Sequence, residues 1–404
     1  MKVVVVIPTY NERENTEKMI EVLATEFAKI KKHNMNLLYV DDTSPDKTYE
    51  VVREKMNKYD WLHLLLNKEK KGLGVAYAKG FRYAMEKLGA DYVMEFDADF
   101  QHKPEEIKSL VDKIDEGYEY IIGSRYIPGG SIPKAWGFKR KFLSVVGNLV
   151  ARAGLLMPKV HDLTTGFKRT KVKGVLDKID LEHLYSNSFA YKVQILGEAI
   201  QGGAKWVEVP INFMARTEGE SKLIKNEMVE TLKVIFLVQW NNPKIKKFLK
   251  FGTVGFIGYL VNAISLEIFS GTQVTRSIAF TFAPLKGTFL AFTTEPSAWA
   301  AAFAAELAII NNFTLNNIWT FKKEKITGIG KILYKFLQFN LAATGAIVIQ
   351  FIVIGVMVGI LGDTRLVRQA GILVAMPLVL TYNYTIYNLV IWKTWKLSKI
   401  FKRK

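Results

Sequence analysis

Short apolar runs alternate with amphipathic stretches over the first half of the chain. Four of the runs are rich in β-branched and other apolar residues and predict buried strands: Lys2–Ile7, Asn36–Val40, Trp61–Leu66 and Tyr92–Phe96. Stretches with helical spacing separate them, the first being Asn15–Ile30. Strands that alternate with helices predict a parallel sheet with right-handed crossovers. The first run is apolar throughout, as expected for a strand covered on both faces.

Polar clusters follow the first, second and fourth predicted strands at the point where each ends. They are Pro8-Thr9-Tyr10-Asn11-Glu12, Asp41-Asp42-Thr43-Ser44-Pro45-Asp46 and Asp97-Ala98-Asp99-Phe100-Gln101-His102. Parallel strands end at the same edge of a sheet, and open α/β sheets bind ligands there. The three clusters are therefore predicted to form one ligand site.

Asp97 and Asp99 are candidate ligands of a metal ion. Two carboxylates separated by one residue at a strand end can share a hard divalent cation such as Mg2+ or Mn2+, which prefers oxygen ligands and phosphates. The alternative is that this Asp-x-Asp is a solvated turn. The convergence of three polar clusters at one edge favours the ligand site.

Long apolar stretches dominate the second half of the chain. Four of them are long enough to span a bilayer, at about 251–269, 298–321, 332–361 and 370–392. The stretch Ser270–Ser297 between the first two contains apolar runs too short to span, which predicts a re-entrant or a peripheral segment.

The charge of the chain is concentrated in this second half. Of the formal net charge of +18, Asn241–Lys404 contributes +14, from 19 Lys and Arg against 5 Asp and Glu. These basic residues lie between apolar spans, which indicates a membrane surface and not a nucleic acid. With four spans the lysine clusters fall on one side, which the positive-inside rule makes cytoplasmic. We therefore expect a multi-pass protein of the cell membrane, with its catalytic domain and both termini cytoplasmic.

Two amphipathic basic stretches connect the halves. Residues 132–157, within a first domain at 1–224, and residues 225–247, before a transmembrane domain at 248–404, predict helices that lie in the membrane interface. The alternative for each is a helix packed on the sheet. Proximity to the apolar spans favours the interface for the second stretch.

The three polar clusters, in their order and spacing, resemble family 2 glycosyltransferases. Within that family the resemblance is to polyprenyl-phosphate glycosyltransferases such as the dolichyl-phosphate mannose synthases. It is carried further by Gly72-Leu73-Gly74, Gly123-Ser124-Arg125-Tyr126, Lys139-Arg140-Lys141, Asp162-Leu163-Thr164-Thr165-Gly166-Phe167 and Arg216-Thr217-Glu218-Gly219-Glu220-Ser221-Lys222. The resemblance covers about residues 1–240 and implies a GT-A, Rossmann-like domain.

The resemblance also implies roles for individual residues. Base and ribose of the nucleotide sugar would be held by Pro8, Tyr10, Glu12 and Asp42. The metal that bridges the diphosphate would be held by Asp97, Asp99 and Gln101, and a loop carrying Arg216, Ser221 and Lys222 would close over the phosphates. One departure is Leu196, where many relatives carry Glu, so no role is assigned to Glu198.

An acceptor phosphate would need cations more than a base. A phosphate monoester has a second pKa of about 6 and is mostly a dianion at neutral pH. Arginine suits forked contacts to phosphate, and the candidates are Arg125, Arg140 and Arg216, with Asp99 completing the predicted catalytic set. Ser144 and Ser221 join Arg125 and Arg140 as candidate acceptor-phosphate ligands. A solvated surface arginine is the alternative for each.

The membrane half resembles the GtrA-like four-helix module of prenyl-linked sugar systems. Glu306, Asn311 and Asn312 lie within its second span. Polar groups at that depth pair within a bundle. They serve either as contacts between helices or as a lipid-phosphate or transport site.

Together these features predict a membrane-bound, inverting glycosyltransferase that moves mannose from GDP-mannose to dolichyl or polyprenyl phosphate. UDP-glucose is the alternative donor, because base and hydroxyl contacts depend on backbone geometry. A carrier that flips a lipid-linked sugar, with a regulatory soluble half, is the non-enzymatic alternative. A processive polysaccharide synthase is less favoured, because the chain lacks the Gln-x-x-Arg-Trp motif of those enzymes.

Overall fold

The computed structural model describes residues 1–215, 227–270, 272–288, 290–362 and 364–395. It divides into two compact units, Met1–Asn242 and Pro243–Lys404. The first unit contains strands β1–β7: Lys2–Thr9, Asn34–Asp41, Leu62–Leu66, Tyr92–Glu95, Tyr120–Ser124, Lys168–Lys171 and Trp206–Pro210. Its helices α1–α7 are Arg13–Ala28, Thr48–Lys55, Leu73–Glu86, Ile107–Asp112, Phe138–Gly154, Tyr191–Gln201 and Glu227–Asn241.

The seven strands form one sheet in the order β3-β2-β1-β4-β6-β5-β7. Strand β6 is antiparallel to both of its neighbours, β4 and β5, whereas the other pairs are parallel. Because β4 and β5 both oppose β6, they run in the same direction as β1. The predicted α/β fold class is confirmed, and the antiparallel strand is a feature that the apolar pattern did not predict.

Strand β1 is buried on both faces, as its continuous apolar run predicts. Val4 and Val6 belong to a core with α3, α5, α6 and α7, and Val3 and Val5 belong to a second core with α1, α2 and α4. All four valines have no exposed surface. Alternating side chains of one strand thus serve two layers of helices, which is the arrangement of a doubly covered sheet.

A glycine pair brings the start of α3 against another loop. The amide of Gly74 donates to the carbonyl of Asn187 at 2.8 Å. A Cβ on Gly72, which has φ of +109°, would collide with the same carbonyl oxygen. Glycine is therefore required by backbone approach here, and the contact fixes the loop that leads into α6.

Helix α7 packs one face on the first unit and exposes the other. Val234, Ile235 and Val238 lie in the same core as α3, α5 and α6. Phe236 and Trp240 are 62% and 52% exposed and stack on each other. The helix therefore combines sheet-side packing with an unpartnered apolar face.

The second unit is helical. Its helices α8–α12 are Pro243–Ser270, Gln273–Thr281, Pro296–Leu315, Ile329–Leu361 and Arg365–Ile386, and π-helical turns at Asn316–Thr320 and Tyr387–Ile391 extend α10 and α12. Within the described residues, three helical segments are long and apolar enough to cross a membrane: Pro243–Ser270, Pro296–Thr320 and Leu373–Ile391. The predicted count of four spans stays a prediction. Residues 270–297 contain α9 and two short 3-10 helices, at Ala283–Leu285 and Ala291–Thr294.

Small residues and polar contacts join the helices of this unit. Ala300, Ala304 and Ala308 of α10 are buried, which suits close helix approach in lipid. Glu306 of α10 accepts a hydrogen bond from Asn340 of α11 at 3.1 Å. Where α10 and α12 end, Phe321 stacks on Trp392 with ring centroids 4.2 Å apart.

Candidate active site

The candidate site lies at the edge of the sheet where β1, β2 and β4 end. Strand β1 pairs with β2 on one side and with β4 on the other, so the strand order reverses there. Such a switch point opens a crevice at the carboxyl ends of the strands. The three predicted polar clusters follow these three strands, so the structure places them along one edge.

A hydrogen-bond network centred on Asp41 ties the first cluster to the second. The hydroxyl of Thr9 donates to Asp41 Oδ2 at 2.9 Å, and the hydroxyl of Ser44 donates to the same oxygen at 2.7 Å. Asn11 has φ of +58°, and its amide donates to Ser44 Oγ. This network sets the path of the backbone from Pro8 to Glu12.

The candidate nucleotide-binding side chains flank that network. Asp42 is buried and accepts a hydrogen bond from Asn67 Nδ2 at 2.8 Å. Burial raises the pKa of Asp42. Tyr10 is partly exposed, with the ammonium of Lys70 3.6 Å above its ring centroid. Glu12 precedes the first turn of α1 and accepts a hydrogen bond from Asn15.

Asp97 is surrounded by groups that favour its ionised form. Its Oδ1 accepts from the hydroxyl of Tyr77 at 3.0 Å, and its Oδ2 lies 3.6 Å from both Lys192 Nζ and His102 Nε2. Burial opposes ionisation, but the ammonium of Lys192, with His102 and Tyr77, outweighs it and holds the pKa of Asp97 below its usual value. Asp97 is therefore a carboxylate at neutral pH.

The turn after Asp97 presents Asp99 and Gln101. The amide of Gln101 donates to Asp99 Oδ1 at 3.1 Å, and Phe100 between them has φ of +57°. Within the described residues, no cluster of three or more metal-binding side chains forms. Two carboxylates and an amide nonetheless fit an Mg2+-like ion, which typically takes one or two protein carboxylates and completes its shell with substrate phosphates and water.

A buried charge network lies behind Asp97. Glu95 accepts a hydrogen bond from the hydroxyl of Tyr191 at 2.8 Å, and burial raises the pKa of Glu95. Lys168 is fully buried and donates to the carbonyl of Lys192 at 3.0 Å. Burial lowers the pKa of Lys168 to about 8. Glu95 and Lys168 are opposite each other across β4 and β6, so an acidic and a basic side chain lie buried just before Asp97.

The absence of a side chain at Gly166 lets Lys192, Asp97 and His102 pack closely around it. A Cβ at Gly166 would collide with Lys192 Nζ and would lie 2.7 Å from Asp97 Oδ2 and 3.3 Å from His102 Nε2. Only a residue without a side chain fits between these groups. The glycine of the segment 162–167 is thus explained by close packing against the charged cluster.

Arg125 is fixed by a buried ion pair. Its Nε and Nη2 donate to the two carboxylate oxygens of Asp162 at 2.7 and 2.8 Å, and Nη2 also reaches Thr164 Oγ1 at 3.0 Å. Burial opposes both charges, but each partner stabilises the other, so the pKa of Asp162 is lowered and that of Arg125 is raised. The alternative of a solvated surface arginine is wrong for Arg125, which is 9% exposed.

Arg140 and Ser144 lie on α5, near Arg125. The guanidinium of Arg140 stacks over the ring of Trp136, with Cζ 4.1 Å from the centroid. Ser144 and Tyr126 share a hydrogen bond of 2.6 Å between their hydroxyls. Because Tyr126 follows Arg125 directly in the chain, this bond ties α5 to the end of β5.

The predicted loop residues Arg216, Ser221 and Lys222 lie outside the described residues. The chain leading to them is anchored at Met214, whose amide donates to the carbonyl of Gln101 at 2.8 Å. Met214 accepts in return from Gln101 Nε2 at 3.4 Å. The residues before the predicted loop therefore contact the predicted metal-binding turn.

Family models match both parts of the chain. Residues 4–175 match the model described as glycosyl transferase family 2, and residues 250–392 match that described as GtrA/DPMS, transmembrane domain. A dolichol-phosphate mannosyltransferase of Pyrococcus furiosus is 34% identical over 98% of this chain and 100% of its own length. The chain belongs to glycosyl transferase family 2.

Two further proteins are similar to this glycosyltransferase over part of its length. A polyprenol monophosphomannose synthase of Mycolicibacterium smegmatis is 36% identical over 57% of this chain and 84% of its own length. Among solved structures, mannosyl-3-phosphoglycerate synthase of Rubrobacter xylanophilus matches with a TM-score of 0.40 and 15% identity, over 59% of this chain and 73% of that one.

The comparisons confirm several of the predictions for this glycosyltransferase. The family 2 resemblance and the GtrA-like module are confirmed by the two matches. The choice of an enzyme over a carrier is confirmed by the family. The transmembrane match and the three apolar helices make the protein a membrane protein. The roles of individual residues stay predictions.

Several groups at the site of the glycosyltransferase belong to no sequence motif, among them Lys192, Tyr77 and Trp136. Lys192 sits on buried helix α6, where one lysine among apolar residues gives no motif. Tyr77 and Trp136 likewise lack a local pattern. Asp162 stands in a segment, Asp162–Phe167, that carries part of the family resemblance, but nothing in the sequence indicates that it pairs with Arg125.

Proposed function

We propose that the protein transfers mannose from GDP-mannose to the phosphate of a dolichyl or other polyprenyl phosphate, with inversion at the anomeric carbon. A phosphate oxygen of the acceptor forms the new bond to C1. The bond from C1 to the donor diphosphate breaks, and its electron pair leaves with GDP. One direct displacement inverts the configuration, and the anionic acceptor does not need a strong general base.

The observation that carries the proposal is the approach of opposite charges at one sheet edge. The carboxylate Asp97 follows β4, and the cation Arg125 follows β5. A single ring, Phe213, lies between them: its centroid is 5.3 Å from Arg125 Cζ and 4.9 Å from the ring of His102, which faces Asp97. A site that brings an anionic donor to an anionic acceptor needs this pairing of a metal-binding turn with fixed cations.

On the donor side, we assign base and ribose to Pro8, Tyr10, Glu12 and Asp42. Mg2+ or Mn2+ would be held by Asp97, Asp99 and Gln101, where it neutralises charge on the leaving diphosphate. Lys192 places an ammonium 3.6 Å from Asp97, so it adds positive potential at the same place. Lys222, outside the described residues, is assigned to the donor from the family resemblance.

On the acceptor side, we assign the phosphate to Arg125, Arg140 and Ser144, with Ser221 and Arg216 contributing from the chain beyond the described residues. Arg125 keeps its position through Asp162 and can meet a phosphate without first being ordered. The guanidinium of Arg140 stacks on the ring of Trp136, which gives it a defined place beside Arg125. Fixed cations reduce the reorganisation needed when two anions meet.

The acceptor would come from the bilayer along α5 and α7. Phe138 and Phe142 of α5 are 84% and 54% exposed and stack on each other. Together with Phe236 and Trp240 of α7 they form apolar faces on the catalytic unit, which suit the interface of a membrane. By the positive-inside rule, we propose a multi-pass protein of the cell membrane with a cytoplasmic catalytic unit.

The test uses the full-length protein in nanodiscs with polyprenyl phosphate and Mg2+ or Mn2+. Radiolabelled GDP-mannose and UDP-glucose are supplied in parallel reactions, and labelled lipid is extracted. We expect label in the lipid fraction from GDP-mannose, dependent on the cation and on polyprenyl phosphate, with GDP released in equal amount. Lipid labelled only from UDP-glucose would replace mannose by glucose, and label in neither reaction would contradict the proposal.

A further inference from the structure

A short segment after β7, Ile211–Met214, is hydrogen-bonded to the chain that carries Arg125. The amide of Ile211 donates to the carbonyl of Ser124 at 3.0 Å, and the amide of Phe213 donates to the carbonyl of Ser131 at 3.0 Å. Alternate residues of the segment are therefore tied to the end of β5 and to the loop that follows it.

The other two residues of the segment, Asn212 and Met214, are hydrogen-bonded to the chain that carries the predicted metal ligands. The amide of Asn212 donates to Glu106 Oε1 at 2.7 Å, and the amide of Met214 donates to the carbonyl of Gln101 at 2.8 Å. Gln101 is a predicted metal ligand, and Glu106 lies in the helical turn that follows it. The segment thus joins the metal-binding turn to the arginine side by backbone hydrogen bonds in both directions.

The side chain of Phe213 also contacts residues on both sides of the site. Its centroid lies 4.9 Å from that of His102 in an edge contact and 5.8 Å from that of Trp136 in a second edge contact. Arg125 Cζ lies 5.3 Å from the same centroid. One ring therefore contacts the histidine beside Asp97 and the arginine paired with Asp162.

Trp136 extends the bridge to Arg140. It is 8% exposed, and its indole Nε1 has no hydrogen-bond partner in the described structure. Its ring lies under the guanidinium of Arg140, 4.1 Å from Cζ, and against Phe213. Trp136 therefore contacts both Phe213 and Arg140 through its ring.

We infer that Phe213 is a positioning residue, which sets the distance between the metal-binding turn and the two arginines. The inference rests on the proposed function, in which those arginines receive the acceptor phosphate. A cation near an aromatic ring is attracted by the ring's quadrupole, so the ring of Phe213 biases Arg125 directly and Arg140 through Trp136. The residues that we assign to the donor's base and ribose, at the ends of β1 and β2, are not among the contacts of the Phe213 ring given above.

The kinetic test compares Phe213→Leu with Phe213→Tyr in the full-length protein. Leucine keeps an apolar side chain but removes the ring, whereas tyrosine keeps the ring. We expect Phe213→Leu to raise the apparent KM for polyprenyl phosphate about tenfold, with donor binding by calorimetry unchanged. Phe213→Tyr should restore KM to within about twofold of the wild-type value. An unchanged KM in Phe213→Leu would overturn the inference.

Phe167→Leu is the matched control. Phe167 also packs on His102, with ring centroids 5.2 Å apart, but no contact of its ring with Arg125 or Arg140 is found in the described structure. The Phe167→Leu variant therefore removes an aromatic neighbour of His102 but keeps the ring of Phe213 beside the arginines. A rise in acceptor KM as large as that of Phe213→Leu would show general loosening of the site and overturn the inference.

A spectroscopic readout separates this inference from the proposed function. In protein labelled with 15N-arginine, the Nε–H of Arg125 is protected from exchange with water by its bond to Asp162. If the ring of Phe213 holds Arg125 in place, this proton should exchange faster in Phe213→Leu and at the wild-type rate in Phe213→Tyr and Phe167→Leu. If the wild-type protein fails to use polyprenyl phosphate, the proposed function fails, whereas an exchange rate unchanged by Phe213→Leu overturns the positioning role by itself.

Discussion

The two sides of the sheet edge hold their candidate residues by different means. On the side of β1, β2 and β4, the candidates lie at the strand ends or in the turns that follow them, and hydrogen bonds such as Thr9 to Asp41 join neighbouring strand ends. On the side of β5, Arg125 is paired with Asp162, and Arg140 stacks on the ring of Trp136. The first side is set by strand register, whereas the second is assembled from loops and a helix.

This difference has consequences for mutations. A residue carried by a strand end can lose its side chain while the register of the sheet remains. A residue held by an ion pair or by stacking supports its partner in turn, because a buried charge left unpaired is costly. Activity and stability should therefore separate on the first side and fall together at Arg125, whose partner Asp162 is buried.

The largest effect is expected for Asp99→Ala, on the first side. Removing one of two predicted metal ligands should lower the transfer rate by about a thousandfold or more, because neutralisation of the diphosphate is lost. The thermal midpoint should stay near that of the wild type. Asp115→Ala, which removes an exposed carboxylate paired with Lys32, is the matched control and should remain fully active. Full activity of Asp99→Ala with Mg2+ and Mn2+ would contradict the assignment.

Gly166→Ala should lower activity by about a hundredfold and stability by about 1–3 kcal/mol. The added Cβ displaces Lys192 and Asp97 from their present positions, and overpacking of a filled site costs this much. Donor binding by calorimetry and the denaturant midpoint measure the two losses. The control is Gly147→Ala in α5, where an added Cβ meets nothing within 4 Å. Equal behaviour of the two variants would show that the cluster around Gly166 tolerates displacement.

Arg140→Ala and Arg125→Ala should differ in stability more than in acceptor dependence. Each should raise the apparent KM for polyprenyl phosphate about tenfold to a hundredfold, since a charge-assisted contact contributes about 1.5–3 kcal/mol. Arg125→Ala leaves the fully buried carboxylate of Asp162 without its guanidinium, which should destabilise the fold by about 3–5 kcal/mol. Chemical denaturation and acceptor titration check both statements.

The affinity for the donor shows whether these arginines contact the acceptor phosphate or the donor. We expect it to stay within about twofold of the wild-type value in Arg140→Ala. Loss of donor binding together with a normal acceptor dependence would place Arg140 on the donor side instead.

The smallest effect is expected for Tyr126→Phe. The change removes one hydroxyl, which shares a 2.6 Å hydrogen bond with Ser144, and a neutral hydrogen bond contributes about 0.5–1.5 kcal/mol. Acceptor KM should rise less than about tenfold, with the donor affinity unchanged. A larger rise than in Arg140→Ala would mean that Tyr126 itself contacts the acceptor.

Much of the architecture was predictable from the sequence. The apolar run Lys2–Ile7 predicts a strand buried on both faces, because only a doubly covered strand lacks alternation, and β1 is such a strand. The long apolar stretches predict membrane-spanning helices, because backbone groups in lipid must be paired within the helix. The polar clusters that follow β1, β2 and β4 meet at one edge because parallel strands end together.

What only the tertiary structure decided lies in contacts between residues far apart in the chain. The antiparallel β6 carries Lys168 beneath the site, and helix α6 brings Lys192 to Asp97. Neither lysine has a local pattern, because its role depends on which distant group it meets. The pairing of Arg125 with Asp162 and the placing of Phe213 against His102 follow from sheet order, which hydrophobic periodicity does not encode.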